Sequence, residues 1–352
     1  MSYGMRHAIG AVAIVGGALL TVAMLVKFDL PPVTTVQRGY RGTAMETNYN
    51  PRDLRVYLAE NKVPPSLPQL PAVGPKAAVA YKNVQVLGDL SVGQFTRLMV
   101  SITNWVAPKQ GCNYCHNPNN MAEDNLYTKV VARRMIQMTQ MVNSEWQPHV
   151  QATGVTCYTC HRGNNIPNNV WFNDPGPTRG VGGMMQASTG KDIASGSVGD
   201  SSLPYDPFTP FLEKDYPIRQ QGETALPVAA GTRHSIKETE WTYALMMHFS
   251  QSLGVNCTYC HNSRAFGDWE QSTPQRVSAW YGIRMVRQIN SEYLNSLHDV
   301  FPPDQLGKLG DNAKVACATC HQGVYKPLFG VSMLKDFPEL AGPGPRKAAS
   351  TQ

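Results

Sequence analysis

Apolar positions fall along this chain in two kinds of pattern, with long unpatterned stretches between them. The first is a continuous run. Ala8 to Val26 carries no charge, with Arg6 and His7 before it and Lys27 and Asp29 after it. As a helix it reaches about 28 Å, close to the hydrocarbon thickness of a bilayer. A cleaved secretory signal and a retained anchor both begin this way. The run is longer than the roughly 7–15 residues of a signal core and no Ala-x-Ala site follows, so it reads as a retained single-span anchor. No cysteine lies near it, which excludes a lipid-modified N-terminal Cys. Arg6 puts the N-terminal side in the cytoplasm by the positive-inside rule, and the remainder in the periplasm.

The second pattern has the helical period. Phe95, Leu98, Met99, Ile102 and Trp105 predict a helix from Ser91 to about Val106. Tyr127, Val131, Met135, Met138 and Val142 predict another from Asn125 to about Trp146, ended by Pro148. Trp241, Leu245, Met246 and Phe249 mark a third, opened by the capping box Ser235-Ile236-Lys237-Glu238. Thr273-Pro274 opens a fourth, an N-cap followed by Pro at the first helical position, which runs to about Leu297 before Pro302-Pro303. Residues 31–90 hold no such period. They carry Pro31-Pro32, Pro64-Pro65, Pro68, Pro71 and Pro75 and read as an extended arm lying on a partner or on the body. Residues 166–233 include Pro175-Gly176-Pro177, Gly180, Gly182-Gly183 and Ser195-Gly196-Ser197, a connection that links halves or covers a site. From Gly342 onward the chain is Pro/Gly-rich, then small and basic, and reads as a disordered tail.

Composition changes this picture little until the cysteines are placed. Of 352 residues only 16% are charged, and 30 Gly and 26 Pro fit long irregular connections. All eight cysteines fall in four copies of Cys-x-x-Cys-His: Cys112-Asn113-Tyr114-Cys115-His116, Cys157-Tyr158-Thr159-Cys160-His161, Cys257-Thr258-Tyr259-Cys260-His261 and Cys317-Ala318-Thr319-Cys320-His321. Two thiols at this spacing can each form a thioether to one vinyl group of a single haem, and the next residue meets the iron as proximal ligand. A zinc site or a redox dithiol would explain one copy. Four copies, each followed at once by His, specify four covalently bound haem c. The net charge of +6 is then discounted, because each haem brings two propionates against one net positive charge at a ferric centre. Nothing resembles a nucleic-acid motif, so no nucleic-acid partner is expected.

The motifs sit on a repeat. Leu98-Met99 before the first motif corresponds to Leu245-Met246 before the third, and Val142-Asn143-Ser144-Glu145-Trp146 to Ile289-Asn290-Ser291-Glu292-Tyr293. Each half is helix, haem, helix, haem. The expected fold is therefore mainly α with long irregular loops: a multihaem cytochrome c of two pseudo-twofold-related di-haem units. The divisions are anchor 1–30, arm 31–90, first unit 91–165, connection 166–233, second unit 234–330 and tail 331–352.

Each iron needs a sixth ligand. Met99 and Met246 hold equivalent places on helices that end just before a motif, so each is a candidate, although a Met on an apolar face is more often core filler. The second haem can choose among Met135, Met138 and Met141, with Met135 first and Met138 second. Sliding by 147 residues puts Gly282 opposite Met135 and Ser296 opposite His149, so the fourth haem must take its ligand from elsewhere. Five His lie outside the motifs: His7, His149, His234, His248 and His298. His149 sits between haem units and is as easily a surface His near a loop. His298 competes for the fourth haem. Met247 and His248 read as core and surface respectively.

At this point the residues resemble a known family. Arg133-Arg134-Met135, Val142-Asn143-Ser144-Glu145-Trp146, Gly154-Val155-Thr156-Cys157-Tyr158-Thr159-Cys160-His161-Arg162-Gly163-Asn164 and Leu253-Gly254-Val255-Asn256-Cys257-Thr258-Tyr259-Cys260-His261 are similar to the tetrahaem cytochrome subunit of purple bacterial photosynthetic reaction centres. The resemblance implies His/Met ligation by Met99, Met135 and Met246 for the first three haems, and bis-His ligation of the fourth with His149 reaching across the pseudo-twofold. It implies an electron carrier, not an enzyme, in the bacterial inner photosynthetic membrane with its bulk in the periplasm. The partners implied are the L and M subunits, with H and the light-harvesting antenna in the larger complex. A soluble c-type cytochrome or a high-potential iron–sulfur protein would supply electrons for the photo-oxidised bacteriochlorophyll pair, through haems ordered third, fourth, second, first from that pair. Many members have a lipidated N-terminal Cys. This chain lacks it, so its helix serves as anchor. A membrane-anchored tetrahaem quinol dehydrogenase would want mostly bis-His haems, and a multihaem reductase would leave one iron open.

Overall fold

The computed structural model describes residues 3–26, 32–37, 46–174, 196–198, 201, 203–218 and 236–342. Ser235 of the expected capping box, His234, Pro175-Gly176-Pro177 and the tail beyond Gly342 lie outside them. The N-terminal helix α1 spans Tyr3–Val26, and none of its apolar window His7–Val26 is buried against protein. Its mean hydropathy of 2.5 needs a non-aqueous neighbour, which a bilayer supplies.

The arm is more structured than its prolines suggest. Strands β1 (Thr34–Gln37) and β2 (Glu46–Tyr49) pair antiparallel, Thr34 opposite Tyr49. Helix α2 (Pro51–Glu60) follows, with the Asn50 side chain accepting from the Arg52 amide and Pro at the first position. Beyond α2 the chain runs extended over the body. Arg97 holds it there, donating to the carbonyls of Leu67 and Pro68 at 2.7 Å each.

The body is two helical units. In the first, α3 (Val92–Val106) starts at a capping box made by Ser91 and Gln94, and α4 spans Tyr127–Glu145. The second motif forms its own short helix α5 (Cys157–His161). In the second unit, α6 (Ile236–Leu253) and α7 (Pro274–Gln288) repeat α3 and α4, and α8 (Cys317–His321) repeats α5. The helix expected to continue to Leu297 instead widens to a π-turn at Ile289–Leu294 and tightens to 3₁₀ over Asn295–Val300.

Two apolar clusters fill the units. One centres on Leu98, Trp105, Ile136, Met333, Phe337 and Leu340. The other centres on Trp171, Phe208, Phe211, Leu212, Leu245, Ile283 and Ile289. Both borrow from segments that the sequence pattern set aside. Residues 331–342, assigned to the tail, pack in the first unit: Phe337 meets Trp105 edge-on with centroids 4.6 Å apart. Phe208, Phe211 and Leu212, assigned to the connection, are core of the second unit. Short apolar groups spaced by Pro carry no period, so the pattern misses them.

Candidate haem-binding site

The second and fourth motifs are built alike. In each, an Asn late in the preceding helix clamps the strand leading into the motif. Asn143 donates to the Val155 carbonyl and accepts from its amide, at 2.9 and 2.7 Å. Asn290 treats Val315 the same way, at 3.0 and 2.9 Å. The hydroxyls of Thr159 and Thr319 then cap their own helices, accepting from the amides of Thr156 and Ala316 at 2.9 Å. Residues Arg162 and Gln322 end the two helices in left-handed backbone, followed by Gly163 and Gly323 at positive φ. The Gly323 position has no room for a Cβ, because the Tyr57 ring of α2 lies against it.

The two motifs face each other about a local twofold. Arg162 donates to the Cys320 carbonyl at 3.3 Å, and Gln322 donates to the Cys160 carbonyl at 3.1 Å. On the axis itself Cys160 and Cys320 meet sulfur to sulfur as a disulfide, their Cα atoms 4.5 Å apart, while the other six cysteines are free. The sequence assigns those two sulfurs to haem, a use that a disulfide would exclude.

All four motif histidines present the same face. His116, His161, His261 and His321 hydrogen-bond through Nδ1 to the carbonyls of Met121, Asn164, Phe266 and Val324, at 2.9–3.1 Å. A carbonyl can only accept, so Nδ1 carries the proton and Nε2 keeps a lone pair free for a metal. The bond spans five residues in the first and third motifs and three in the second and fourth, so the motifs pair as the repeat requires.

His149 shares this arrangement. It follows α4 in a single turn, Gln147–Val150, and its Nδ1 donates to the Ser278 carbonyl of α7 at 2.8 Å. Its ring faces that of His321, centroids 6.1 Å apart. Two imidazoles sharing one iron would stand about 6.2 Å apart, from two bonds of about 2 Å and two ring half-widths of about 1.1 Å. Burial lowers the affinity of both rings for protons, and His149 beside it helps hold His321 down at about 4. Both are therefore neutral and fit to ligate. Among the described residues no three His, Cys, Asp or Glu side chains gather as a tetrahedral zinc site would require. Haem asks less of the protein, because the porphyrin supplies four nitrogens and leaves two axial positions.

Room for His149 is made by Gly282. A Cβ there would lie 2.6 Å from His149 Cε1 and 2.9 Å from Nδ1. This is the position that the repeat sets opposite Met135. The second half thus has a gap where the first half has a thioether, and an imidazole fills it from the first half. Met135 and Met138 are half-buried on α4, whereas Met141 is buried at 6% exposure within the core. Met99 on α3 and Met246 on α6 are each half-buried against a core cluster.

His298, the competitor for the fourth haem, is exposed on the 3₁₀ segment. One expectation fails. His248, expected at the surface, is buried, edge-on to Phe208 at 4.6 Å and bonded to the Ser252 hydroxyl. Its half-buried neighbour Met247 takes the more open side of α6.

Repeated haem-attachment motifs on paired helices, behind a membrane-length helix, define a multihaem c-type cytochrome. The comparisons place it further. The family model of the photosynthetic reaction centre cytochrome C subunit matches residues 29–341. The photosynthetic reaction center cytochrome c subunit of Thermochromatium tepidum is 52% identical over 325 residues, 92% of this chain and 79% of that one. That of Rubrivivax gelatinosus is 50% identical over 334 residues, 95% and 90% of the two chains. That of Roseobacter denitrificans is 41% identical over 350 residues, 94% and 92%. The chain belongs to the family of photosynthetic reaction-centre cytochrome c subunits, carries haem c, and serves electron transfer in that membrane-associated complex.

Proposed function

We propose that the chain holds four haems c, one on each motif, and relays electrons from a soluble periplasmic donor to the photo-oxidised bacteriochlorophyll pair. The motif histidines take one axial face of each iron. Met99, Met135 and Met246 take the other face of the first three, and His149 that of the fourth. The observation that carries this reading is the His149–His321 pair. Two neutral imidazoles from different halves lie 6.1 Å apart between centroids, each oriented by its own backbone carbonyl, and would be the two that hold the fourth iron.

The twofold extends the argument to Met135. Its equivalent, Gly282, is the position that looks onto the axial site of the fourth motif, so Met135 looks onto that of the second. Met138, one turn on, does not share this equivalence. Cys160 and Cys320 would each serve their own motif as thioethers in this reading.

When bound, haem iron supplies a one-electron couple whose potential follows its axial ligands. Thioether ligation raises it relative to bis-imidazole, so three higher potentials and one lower are expected. With both faces closed by protein no iron offers a substrate site, which favours a carrier over a quinol dehydrogenase or a reductase. Helix α1 anchors the chain, with the body on the periplasmic side beside the L and M subunits and, in the larger complex, H and the antenna. The donor is a small c-type cytochrome or a high-potential iron–sulfur protein.

A flash of light on membranes tests this directly. Haem α-band bleaching after the flash, with four haems per chain by pyridine haemochrome and no carbon monoxide binding, is the expected result. A haem that binds carbon monoxide in the native protein, or no flash-induced oxidation, overturns it.

A further inference from the structure

The axis between the second and fourth motifs carries one charge where symmetry allows two. Arg162 and Gln322 occupy the same place in the two motifs, directly after the ligating His and in the same left-handed conformation. Each reaches across to a cysteine carbonyl of the opposite motif. Arg162 does more. Its Nε donates to the Thr159 carbonyl at 3.0 Å, and Nη1 donates to the Glu60 carbonyl and Asn61 Oδ1, each at 3.1 Å. Every acceptor is a neutral oxygen. Among the described residues no carboxylate lies within ion-pair distance of Arg162. The half-buried guanidinium is therefore a positive charge without a direct ion pair among the described residues, with the Glu60 carboxylate acting on it only at longer range, and it is fixed by the arm on one side and by both motifs on the other.

We propose that Arg162 is a shared potential-setting residue, one fixed cation that raises the reduction potentials of both haems at the twofold axis. The proposal rests on the four-haem reading above. A ferrous haem carries one positive charge fewer than a ferric one, so a nearby cation disfavours the oxidised form. Partial burial keeps water from screening this fully. The effect falls on the second and fourth haems, whose cysteine carbonyl or own motif the guanidinium touches. The first and third motifs have no such contact. For the fourth haem, with two imidazole ligands, the cation offsets part of the lowering that bis-His ligation brings, and so narrows its step to the third haem while leaving its step to the second unchanged. Gln322 shows that a neutral side chain can make the cross-axis bond, so the bond alone does not explain the charge.

The test is redox titration of the intact membrane complex, following each haem by its α-band. Arg162→Gln is expected to shift the reduced-to-oxidised ratio of the second and fourth haems toward oxidised by about threefold, roughly 28 mV on a scale of about 59 mV per tenfold for one electron. Arg162→Lys keeps the charge and loses the fork, and is expected to restore most of the shift. Gln322→Arg, at a position whose backbone already suits Arg, is expected to raise the same two potentials. This gain-of-charge variant tests the idea even if Arg162→Gln assembles poorly. An Arg162→Gln protein whose four potentials stay in place while its melting temperature drops would make Arg162 a clasp only and overturn the proposal. Equal shifts at all four haems would overturn it too. A haem count other than four per chain would instead refute the underlying reading, and pyridine haemochrome separates the two failures.

Discussion

Gly282→Ala isolates the distal side of the fourth motif with a single methyl group. The added Cβ would stand 2.6 Å from His149 Cε1 and 3.2 Å from Nε2. Ordinary carbon contacts begin near 3.5 Å, so the ring must retreat by about 0.9 Å. It cannot slide freely, because Nδ1 is tied to the Ser278 carbonyl one turn earlier on the same helix. An iron–imidazole bond is about 2 Å long, and a retreat of this size takes His149 out of bonding reach of an iron held by His321. Two effects oppose each other in stability. Ala is favoured over Gly inside a helix by about 1 kcal/mol, while overpacking costs about 1–3 kcal/mol and a lost hydrogen bond about 1 kcal/mol more. The net is a loss of about 1–3 kcal/mol with the fold kept. Carbon monoxide difference spectra on the intact complex read the site. One haem in four should bind carbon monoxide in the variant and none in the parent, with a high-spin signal of matching size. A variant with four low-spin haems, indifferent to carbon monoxide, would refute the placement of His149 over the fourth motif.

Two further outcomes follow from the structure. Arg97 is buried, donates to the carbonyls of Leu67, Pro68 and Asp336, lies 3.9 Å from Glu339 and covers the Phe337 ring at 4.1 Å. Arg97→Met leaves those carbonyls and a buried carboxylate without a partner, so the denaturation midpoint should fall by the equivalent of about 3–5 kcal/mol, and a protease should cut residues 62–75 first. His248 is held neutral by burial, its affinity for protons lowered to about 3, with the nearby His321 adding to the effect. The unfolded chain binds a proton there below about pH 6.5, so the unfolded state holds more protons and stability falls as pH drops from about 6.5 toward 3. His248→Gln should show a shallower decline of Tm between pH 6.5 and pH 4, and identical slopes would exclude His248 as a source of acid sensitivity.

What could be read from the residues depended on how local the cause was. The haem motifs, the start of α3 at Ser91 and the Pro at the head of α7 act within one turn, and each lies where the pattern put it. Helix α2 has a start signal in Asn50-Pro51, but the prolines that follow break the helical period and mask it in the sequence. The burial of His248 has no sequence cue, since it is caused by Phe208, forty residues earlier in a stretch without period. The same holds for Phe337 and Leu340, which close the first unit from the far end of the chain.

The packing of His149 on Gly282 shows how a broken repeat can be more informative than a kept one. If both halves were identical, each would carry a thioether at the position of Met135, and His149 would meet a Met side chain where it now meets empty space. Replacing that Met by Gly removes a ligand and opens a slot in one step. The slot is lined by the Ser278 carbonyl, which selects a donor, so it fits an imidazole with a proton on Nδ1 and a lone pair on Nε2. The residue that fills it comes from the first half, and in the proposed reading it would tie the two units together through the metal site itself. Binding haem to the fourth motif should therefore stabilise the contact between the units as well as the unit that carries the motif. The asymmetry of Arg162 and Gln322 at the same axis has the same character: one half supplies, for both, a group that the other half has given up.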